Sequence, residues 1–178
     1  MNLTPVMTRF ILHWGEMGAR WGVNRTVAQI HALLYLAPGP LPADEIAETL
    51  DVARSNVSTS LKELQTWGLV SIAHVMGDRR DHFVAKAEPW DMLVTIMEQR
   101  KRRELEPTLQ VLRECVAELG KDRDTPNEAK ARIENMLGFL TNVTGWFEQM
   151  LALPKSTVLT LMKLGAKVAN FVPRSAKD

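Results

Sequence analysis

Residues 41–70 constrain the fold more than any other stretch, because they contain two short amphipathic helices separated by a tight turn. Asp44 is expected to cap the first helix. The apolar positions of this helix recur at helical spacing and are Ile46, Ala47 and Leu50. The turn is Asp51-Val52, and the second helix covers about residues 53–67. It ends at Gly68, a residue type that commonly terminates helices. The pattern predicts a helix-turn-helix.

The second helix has two faces of different character. Its apolar face carries Val57, Leu61 and Leu64. The opposite face is polar and begins with Arg54, Ser55, Asn56, Ser58 and Thr59, followed by Lys62. Short hydroxyl and amide side chains lower helix propensity, so an ordinary solvated face would use Glu and Lys instead. Short polar groups and arginine at the start of a second helix are what reading base edges in a major groove requires.

A predicted β-hairpin follows the second helix. Residues 69–75 alternate as a half-buried strand does, residues 76–80 form the turn, and residues 81–85 form the returning strand. The turn carries Arg79 and Arg80. Paired arginines at a turn are by themselves explained by solvation. Because they follow a helix predicted to read bases, Arg79 and Arg80 are candidates for phosphate or minor-groove contact. The two helices and the hairpin together predict a winged helix-turn-helix.

Two helices are predicted before this unit. The first, about residues 5–21, carries large apolar side chains around much of its circumference, so we expect it to be buried on more than one side. The second covers about residues 25–36 and ends at a Pro-Gly-Pro break. Arg25, at the N-terminus of this second helix, is a further candidate for phosphate contact.

Long helices dominate the second half of the chain. Three- and four-residue steps predict a helix over residues 90–119, in which Pro107 either produces a kink or begins a new helix. Further helices are predicted over residues 128–152 and about 155–172, and we expect the last one to dock on protein rather than on a membrane surface. Because a twofold dimer is the commonest way to bury such large apolar faces, we expect a homodimer.

The predicted fold is mainly α with a small β-hairpin, a winged helix-turn-helix joined to long C-terminal dimerisation helices. Residues 1–24 form an N-terminal helix that packs with the dimerisation half. Residues 25–88 form the DNA-binding domain. Residues 89–178 form the helical dimerisation region, which is also the candidate region for sensing an effector.

Charge and cysteine content exclude several classes of protein. Residues 1–88 contain 8 Lys and Arg against 9 Asp and Glu, so bulk charge does not support non-specific binding of nucleic acid. The single cysteine, Cys115, excludes an internal disulfide and a cysteine-based zinc site, which fits a reducing cytoplasm. We predict a cytoplasmic protein with no cofactor, no metal, no signal peptide and no transmembrane helix.

An enzyme and a protein–protein adaptor are the alternatives to a DNA-binding protein. The histidines are scattered, without an acid or nucleophile at motif spacing, and are His13, His31, His74 and His82. His74 and His82 are placed on the two wing strands, but two ligands are too few for a metal site. We therefore predict no enzyme. An adaptor remains open, because winged helices also bind proteins and the weak net charge is compatible with that function.

Large rings suggest where an effector could bind. The tryptophans considered are Trp14, Trp21, Trp90 and Trp146. Core packing accounts for most tryptophans, but a cavity lined by two or three of them could hold a quaternary ammonium compound through cation–π contacts.

Residues 25–119 resemble the GbsR/MarR-type winged-helix transcriptional regulators. The segments that carry the resemblance are 24–26, 34–41, 44–47, 55–58, 61–70, 77–81 and 100–104. The resemblance implies a homodimeric repressor or activator with the winged helix on double-stranded DNA and flanking helices in the dimer interface. It also implies, for some members, a response to choline or other osmoprotectant-pathway compounds. The helices after about residue 125 carry no matching motif.

Overall fold

The structure, a computed structural model, describes residues 1–168, with side chains through residue 165. The elements in chain order are α1 Pro5–Arg20, α2 Arg25–Leu36, β1 Leu41–Pro42, α3 Ala43–Leu50, α4 Arg54–Thr66, β2 Val70–Ala73, β3 His82–Ala85, α5 Pro89–Arg100, a π-helical segment Lys101–Leu105, α6 Glu106–Leu119, α7 Asn127–Ala152 and α8 Lys155–Val168. The predicted fold class, mainly α with a small β-hairpin in a winged helix-turn-helix, is confirmed, and the hairpin is part of a three-stranded sheet. The predicted last helix continued to residue 172, and its final four residues lie outside the described part.

The chain divides into two compact units, Met1–Gln99 and a second unit that begins at Arg100. The predicted boundary after residue 88 divides the chain by function, and that division stays a prediction. In the structure, all of α5 except Arg100 lies in the first unit. Met92 and Ile96 of α5 pack against the core of that unit, which explains the later boundary.

The core of the first unit lies between α2, α3 and α4. Five of its side chains are essentially inaccessible to solvent, namely Ile30, Leu33, Ile46, Val57 and Leu64. Full burial of a side chain of this kind contributes roughly 1.5–3 kcal/mol to folding. This core fixes α4 against α2 and α3 and leaves the other side of α4 exposed.

Helix α1 packs on α2 within the first unit. Ile11 and Gly15 are its buried residues, whereas Val6 and Leu12 on other sides are 66% and 45% exposed. We expected burial on more than one side, and in the single chain α1 is buried on the side that faces α2. Packing of α1 with the helical half of the chain stays a prediction.

The sheet contains one strand that the sequence analysis did not predict. Its order is β1-β3-β2, with both pairings antiparallel. Leu41 pairs with Phe83, and Pro42 pairs with His82. The short strand β1 therefore joins the segment just before α3 to the inner strand of the wing.

The second unit is built on α6 and α7. Leu109 and Leu119 of α6 and Thr144 of α7 are buried, as is Val158 of α8. Lys130 of α7 donates to the Leu119 carbonyl at the end of α6 (3.2 Å), which places a cation where the helix dipole favours one. Among the described residues, no helix combines the length and the apolar character needed to cross a bilayer.

Pro107 lies in the first turn of α6, directly after the π-helical segment Lys101–Leu105. A proline inside a helix cannot donate a backbone hydrogen bond, and its ring displaces the carbonyl four residues earlier. The helix contains one extra residue in this turn, because the Glu106 N–H bonds to the carbonyl of Lys101, five residues earlier, instead of four. The backbone of Arg100, Leu105 and Glu106 stays helical, so the chain accommodates Pro107 by a π-helical turn directly before α6 rather than by leaving the helical conformation.

Candidate nucleic-acid interface

Helix α4 is bounded by two backbone features. Before it, Asp51 takes a left-handed conformation (φ 52°) that ends α3 and turns the chain. After it, Gly68 has a φ of 70°, and the Leu69 N–H bonds to the Leu64 carbonyl (3.0 Å), the pattern of a glycine C-cap. The predicted turn and the predicted stop at Gly68 are both confirmed.

The two faces of α4 are arranged as predicted. Val57, Leu61 and Leu64 are buried, together with Ser60. All the predicted base-reading residues are exposed, and these are Arg54, Ser55, Asn56, Ser58 and Thr59. Lys62, the predicted phosphate contact, is exposed further along the helix. The helix thus offers one continuous polar surface over its first two turns.

The wing residues Arg79 and Arg80 are exposed after the turn that joins β2 to β3. The guanidinium group of Arg80 is bound to Asp78, with Nε 3.0 Å from both carboxylate oxygens and Nη2 2.5 Å from Oδ2. Hydrogen bonds from the side chain and the backbone N–H of Arg80 lower the pKa of Asp78 far below its ordinary value. Asp78 in turn raises the pKa of Arg80, so both groups are charged across the physiological range.

His82 is buried beneath the wing rather than available to a ligand. Its ring Nδ1 lies 2.9 Å from the Arg80 carbonyl, and its Nε2 lies 3.4 Å from Asp78 Oδ2. His74 is exposed, just beyond the end of β2. In the described part of the chain, no three His, Cys, Asp or Glu side chains are grouped so that they could hold a metal ion.

Asp44 does not cap α3, which corrects our prediction. Helix α3 begins at Ala43 after Pro42, without a side-chain cap, and Asp44 lies within the first turn. Its carboxylate instead forms an ion pair with Arg54 Nη1 of α4, and its second oxygen lies 3.9 Å from Arg80 Nη1 of the wing. A single carboxylate therefore connects the start of α4 with the wing.

Arg25 makes a different contact from the other predicted cations. It begins α2, and its guanidinium group lies 3.4 Å from the Glu16 carboxylate of α1. Both side chains are more than half exposed. Arg54 and Arg80 share a contact with Asp44, whereas Arg25 pairs with Glu16 and connects α2 to α1.

Comparison with known proteins places this geometry in a family. A model described as the MarR family matches residues 21–81, which run from just before α2 to the wing. The winged helix of this chain is therefore similar to that of the MarR family. The HTH-type transcriptional repressor GbsR of Bacillus subtilis (strain 168) is similar to this chain, with 26% identity over 116 residues. The match covers 61% of this chain and spans 64% of the length of GbsR.

The chain is also similar to solved structures. A crystal structure described as a transcriptional regulator covers 83% of this chain and 96% of its own, with a TM-score of 0.65 and 20% identity. The transcriptional regulator Tm0710 from Thermotoga maritima covers 84% of this chain and 94% of its own, with a TM-score of 0.39 and 17% identity. The first similarity supports the fold. GbsR, to which the chain is similar, is a transcriptional repressor.

The four tryptophans considered as effector-binding candidates lie in different surroundings. Trp14 is half-buried, stacked on Phe10 at 5.4 Å between ring centroids and tilted over His31 at 6.4 Å. Trp146 is 59% exposed and meets the ring of Phe147 edge-on. Trp21, in the break after α1, is 55% exposed, and Trp90 at the start of α5 is half-buried. An effector pocket built from these rings stays a prediction.

Sequence reasoning missed the role of Asp44, although the sequence contains a signal for it. Asp44 follows the short β1 segment, and Arg80 precedes β3 by two residues. Had residues 41–42 been recognised as an edge strand beside β3, the antiparallel pairing would have placed the start of α3 near the residues that precede β3.

Proposed function

We propose that this chain is a sequence-specific, double-stranded-DNA-binding transcriptional repressor that acts as a twofold homodimer on a palindromic operator. The observation that carries the proposal is the position of the exposed polar face of α4 beside the wing, with Arg54 and Arg80 connected through Asp44. A helix of this kind fits a major groove, and a wing beside it reaches the neighbouring phosphates or minor groove. The similarity to the repressor GbsR supports the sign of regulation.

The exposed residues of this surface divide into two roles. Ser55, Asn56, Ser58 and Thr59, with Arg54, would approach base edges, where amide and guanidinium groups form the most selective contacts. Lys62, Arg79 and Arg80 would contact the phosphate backbone, and Arg25 is a further candidate for that role. Because the first half of the chain has nearly balanced charge, selectivity would depend on these few placed groups rather than on a general positive field.

Exposed apolar residues support the homodimer. On α7 they recur at steps of three and four residues and are Met136, Phe139, Val143 and Trp146, each between 42% and 64% exposed. Val6 and Leu12 on α1 are exposed as well. A second copy of the chain that covers these surfaces would remove them from water. Two symmetric reading helices would then require half-sites roughly 10 base pairs apart, centre to centre.

A binding-site selection with the full chain tests the proposal. Random duplexes are bound, recovered and sequenced, and the affinity for the enriched sequence is compared with that for a scrambled duplex at one salt concentration. We expect a palindromic sequence bound at least ~10³-fold more tightly than the scrambled one. Repression is tested by placing the enriched sequence in a promoter and measuring transcription with and without the protein. Absence of any enriched sequence, together with tight binding to a purified protein partner, would favour the adaptor alternative.

The division of labour along the chain is part of the same proposal. Residues 25–88 would bind DNA in the cytoplasm, and residues 89–178 would form the dimer and sense an effector. A quaternary ammonium compound is the proposed effector class, since tryptophan faces attract such cations by roughly 0.5–2 kcal/mol per ring. Titration with choline-like compounds, followed by tryptophan fluorescence and operator affinity, tests this part. If neither signal changes across the series, the effector proposal is wrong.

A further inference from the structure

We propose that Asp44 is a positioning residue for DNA recognition, which holds Arg54 of the reading helix and Arg80 of the wing with one carboxylate. The inference rests on the proposed DNA-binding function and adds to it the part that joins the two reading elements. Asp44 itself would touch neither bases nor phosphates. It would set where the two arginines stand before DNA arrives.

The contacts around Asp44 form a continuous chain of charges. One carboxylate oxygen pairs with Arg54 Nη1, and the other faces Arg80 Nη1 at 3.9 Å. The remaining edge of the Arg80 guanidinium group is bound to Asp78 at 2.5–3.0 Å. Arg80 therefore lies between two carboxylates, one from its own turn and one from α3.

The backbone brings these residues together independently of their side chains. In the antiparallel pairing of β1 with β3, Leu41 lies opposite Phe83 and Pro42 lies opposite His82. Helix α3 begins at Ala43, directly after this pair, and Arg80 lies two residues before β3, so the first turn of α3 and the end of the wing turn start from neighbouring strand ends. Leu41, Phe83 and His82 are buried, so the strands that set this register are anchored in the core.

The exposure of these ion pairs indicates a role in positioning rather than in stability. The side chains of Arg54, Arg80 and Asp44 are 66%, 55% and 44% exposed, and exposed ion pairs add little to folding stability. Without a shared anion, however, two neighbouring guanidinium groups would repel each other. Side chains that are ordered before binding lose less entropy in the complex.

The negative charge of Asp44 also affects selectivity. A carboxylate among the reading cations repels any phosphate that approaches without the correct docking of both arginines. Asp44 would therefore weaken binding to arbitrary duplexes more than binding to the cognate site, which is how repulsive groups raise specificity.

The experiment compares Asp44→Asn with wild type and with Asp81→Asn, using the full chain, the selected cognate duplex and a scrambled duplex. Asp81 is exposed and adjacent to Arg80 in the sequence, so this control makes the same charge change in the wing. For Asp44→Asn we expect several-fold tighter binding to the scrambled duplex and a cognate-to-scrambled ratio about tenfold lower. For Asp81→Asn we expect both affinities to rise together and the ratio to stay within about twofold of wild type. Unchanged thermal unfolding verifies that each variant is folded.

A double-mutant cycle provides a second readout that a purely structural role would not change. Arg54→Gln and Arg80→Gln are made singly and together, in wild type and in D44N. We expect their effects on cognate affinity to be non-additive in wild type and additive in D44N. Additive effects in both backgrounds, or an unchanged ratio in D44N, would overturn the role of Asp44 while the DNA-binding function stands. A wild-type chain that does not discriminate the cognate duplex would overturn both.

Discussion

Gly18 of α1 lies directly against Ala28 of α2, so that a Cβ atom added at Gly18 would stand 2.5 Å from the Ala28 Cβ atom. No real pair of side-chain carbons approaches this closely, and both atoms are on backbone-fixed positions. The close approach of the two helices therefore depends on the missing side chain. It also brings the ring of Trp14 over His31.

Gly18→Ala is expected to destabilise the first unit by about 1–3 kcal/mol, because α1 must move away from α2 to accommodate the methyl group. Chemical unfolding measures the change in the free energy of unfolding. Gly138→Ala on α7 is the matched control, since a Cβ atom there would meet nothing within 4 Å. The control should be neutral or stabilising by roughly 0.5–1 kcal/mol, as alanine favours helix over glycine. Equal effects of the two substitutions would contradict the close packing of α1 on α2.

The buried imidazole of His31 should make folding stability depend on pH. His31 is 3% exposed, and burial lowers its pKa to about 4. The unfolded chain binds a proton near pH 6.5 and the folded chain only near pH 4, so this contribution is fully present above pH 6.5 and is lost as the pH falls to 4. The loss amounts to about 3 kcal/mol. Unfolding measured at several pH values between 7 and 4 would show this slope.

His31→Leu tests the assignment of that slope to His31. In the described part of the chain, His31 Nε2 has no hydrogen-bond partner, so an apolar replacement removes no bond from this atom. The variant should lose most of the dependence between pH 6.5 and 4. His13→Leu, at an exposed position of α1, should keep it. A slope that persists in His31→Leu would assign the effect to other groups.

Asn56→Ala should weaken binding to the cognate duplex by roughly 1–3 kcal/mol and relax the preference at one base position, because an amide can form two hydrogen bonds with adenine.

Arg79→Ala should weaken binding to all duplexes to a similar extent and reduce the slope of log affinity against log salt by about one unit, because it removes one phosphate contact. Gel-shift titrations on cognate and scrambled duplexes separate the two behaviours. Loss of affinity to the same degree on both duplexes for Asn56→Ala would show that this residue does not read a base.

Phe139→Glu should convert the proposed dimer into monomers, because it places a charge in the exposed apolar stripe of α7 that a second copy would bury. Sedimentation measures the mass in solution. Thr141→Glu is the matched control, since position 141 is exposed and points to the opposite side of the helix. A monomeric wild type, or dissociation by both substitutions, would argue against α7 as the dimer surface.

Local patterns in the sequence were sufficient to predict the bounds of α2 and α4. The predicted 25–36 helix coincides with α2, and the predicted 53–67 helix differs from α4 by one residue at each end. The buried face of α4 also followed from spacing alone. The apolar spacing, the turn before α4 and the glycine after it are local features, and each determines the structure only of residues within a few positions of itself.

The partner of Asp44 could not be predicted in the same way, because it depends on pairing between segments that are distant in the sequence. Strand β1 has only two residues, too few for an alternating pattern. An aspartate at the start of a helix is usually a cap, and this local preference gave the wrong role. The effect of Pro107 was equally hard to predict, since the sequence does not show that the residues before it form a π-helical turn.

Strand β1 limits how α4 and the wing could be transferred to another protein. A hybrid that received a foreign reading helix and wing, residues 54–85, would keep its own Leu41, Pro42 and Asp44. The grafted strand would then meet a neighbour selected for a different sequence, and its arginine would lack a matched carboxylate. The transferable module therefore begins at residue 41, and an exchange of specificity would require moving this short edge strand together with α4 and the wing.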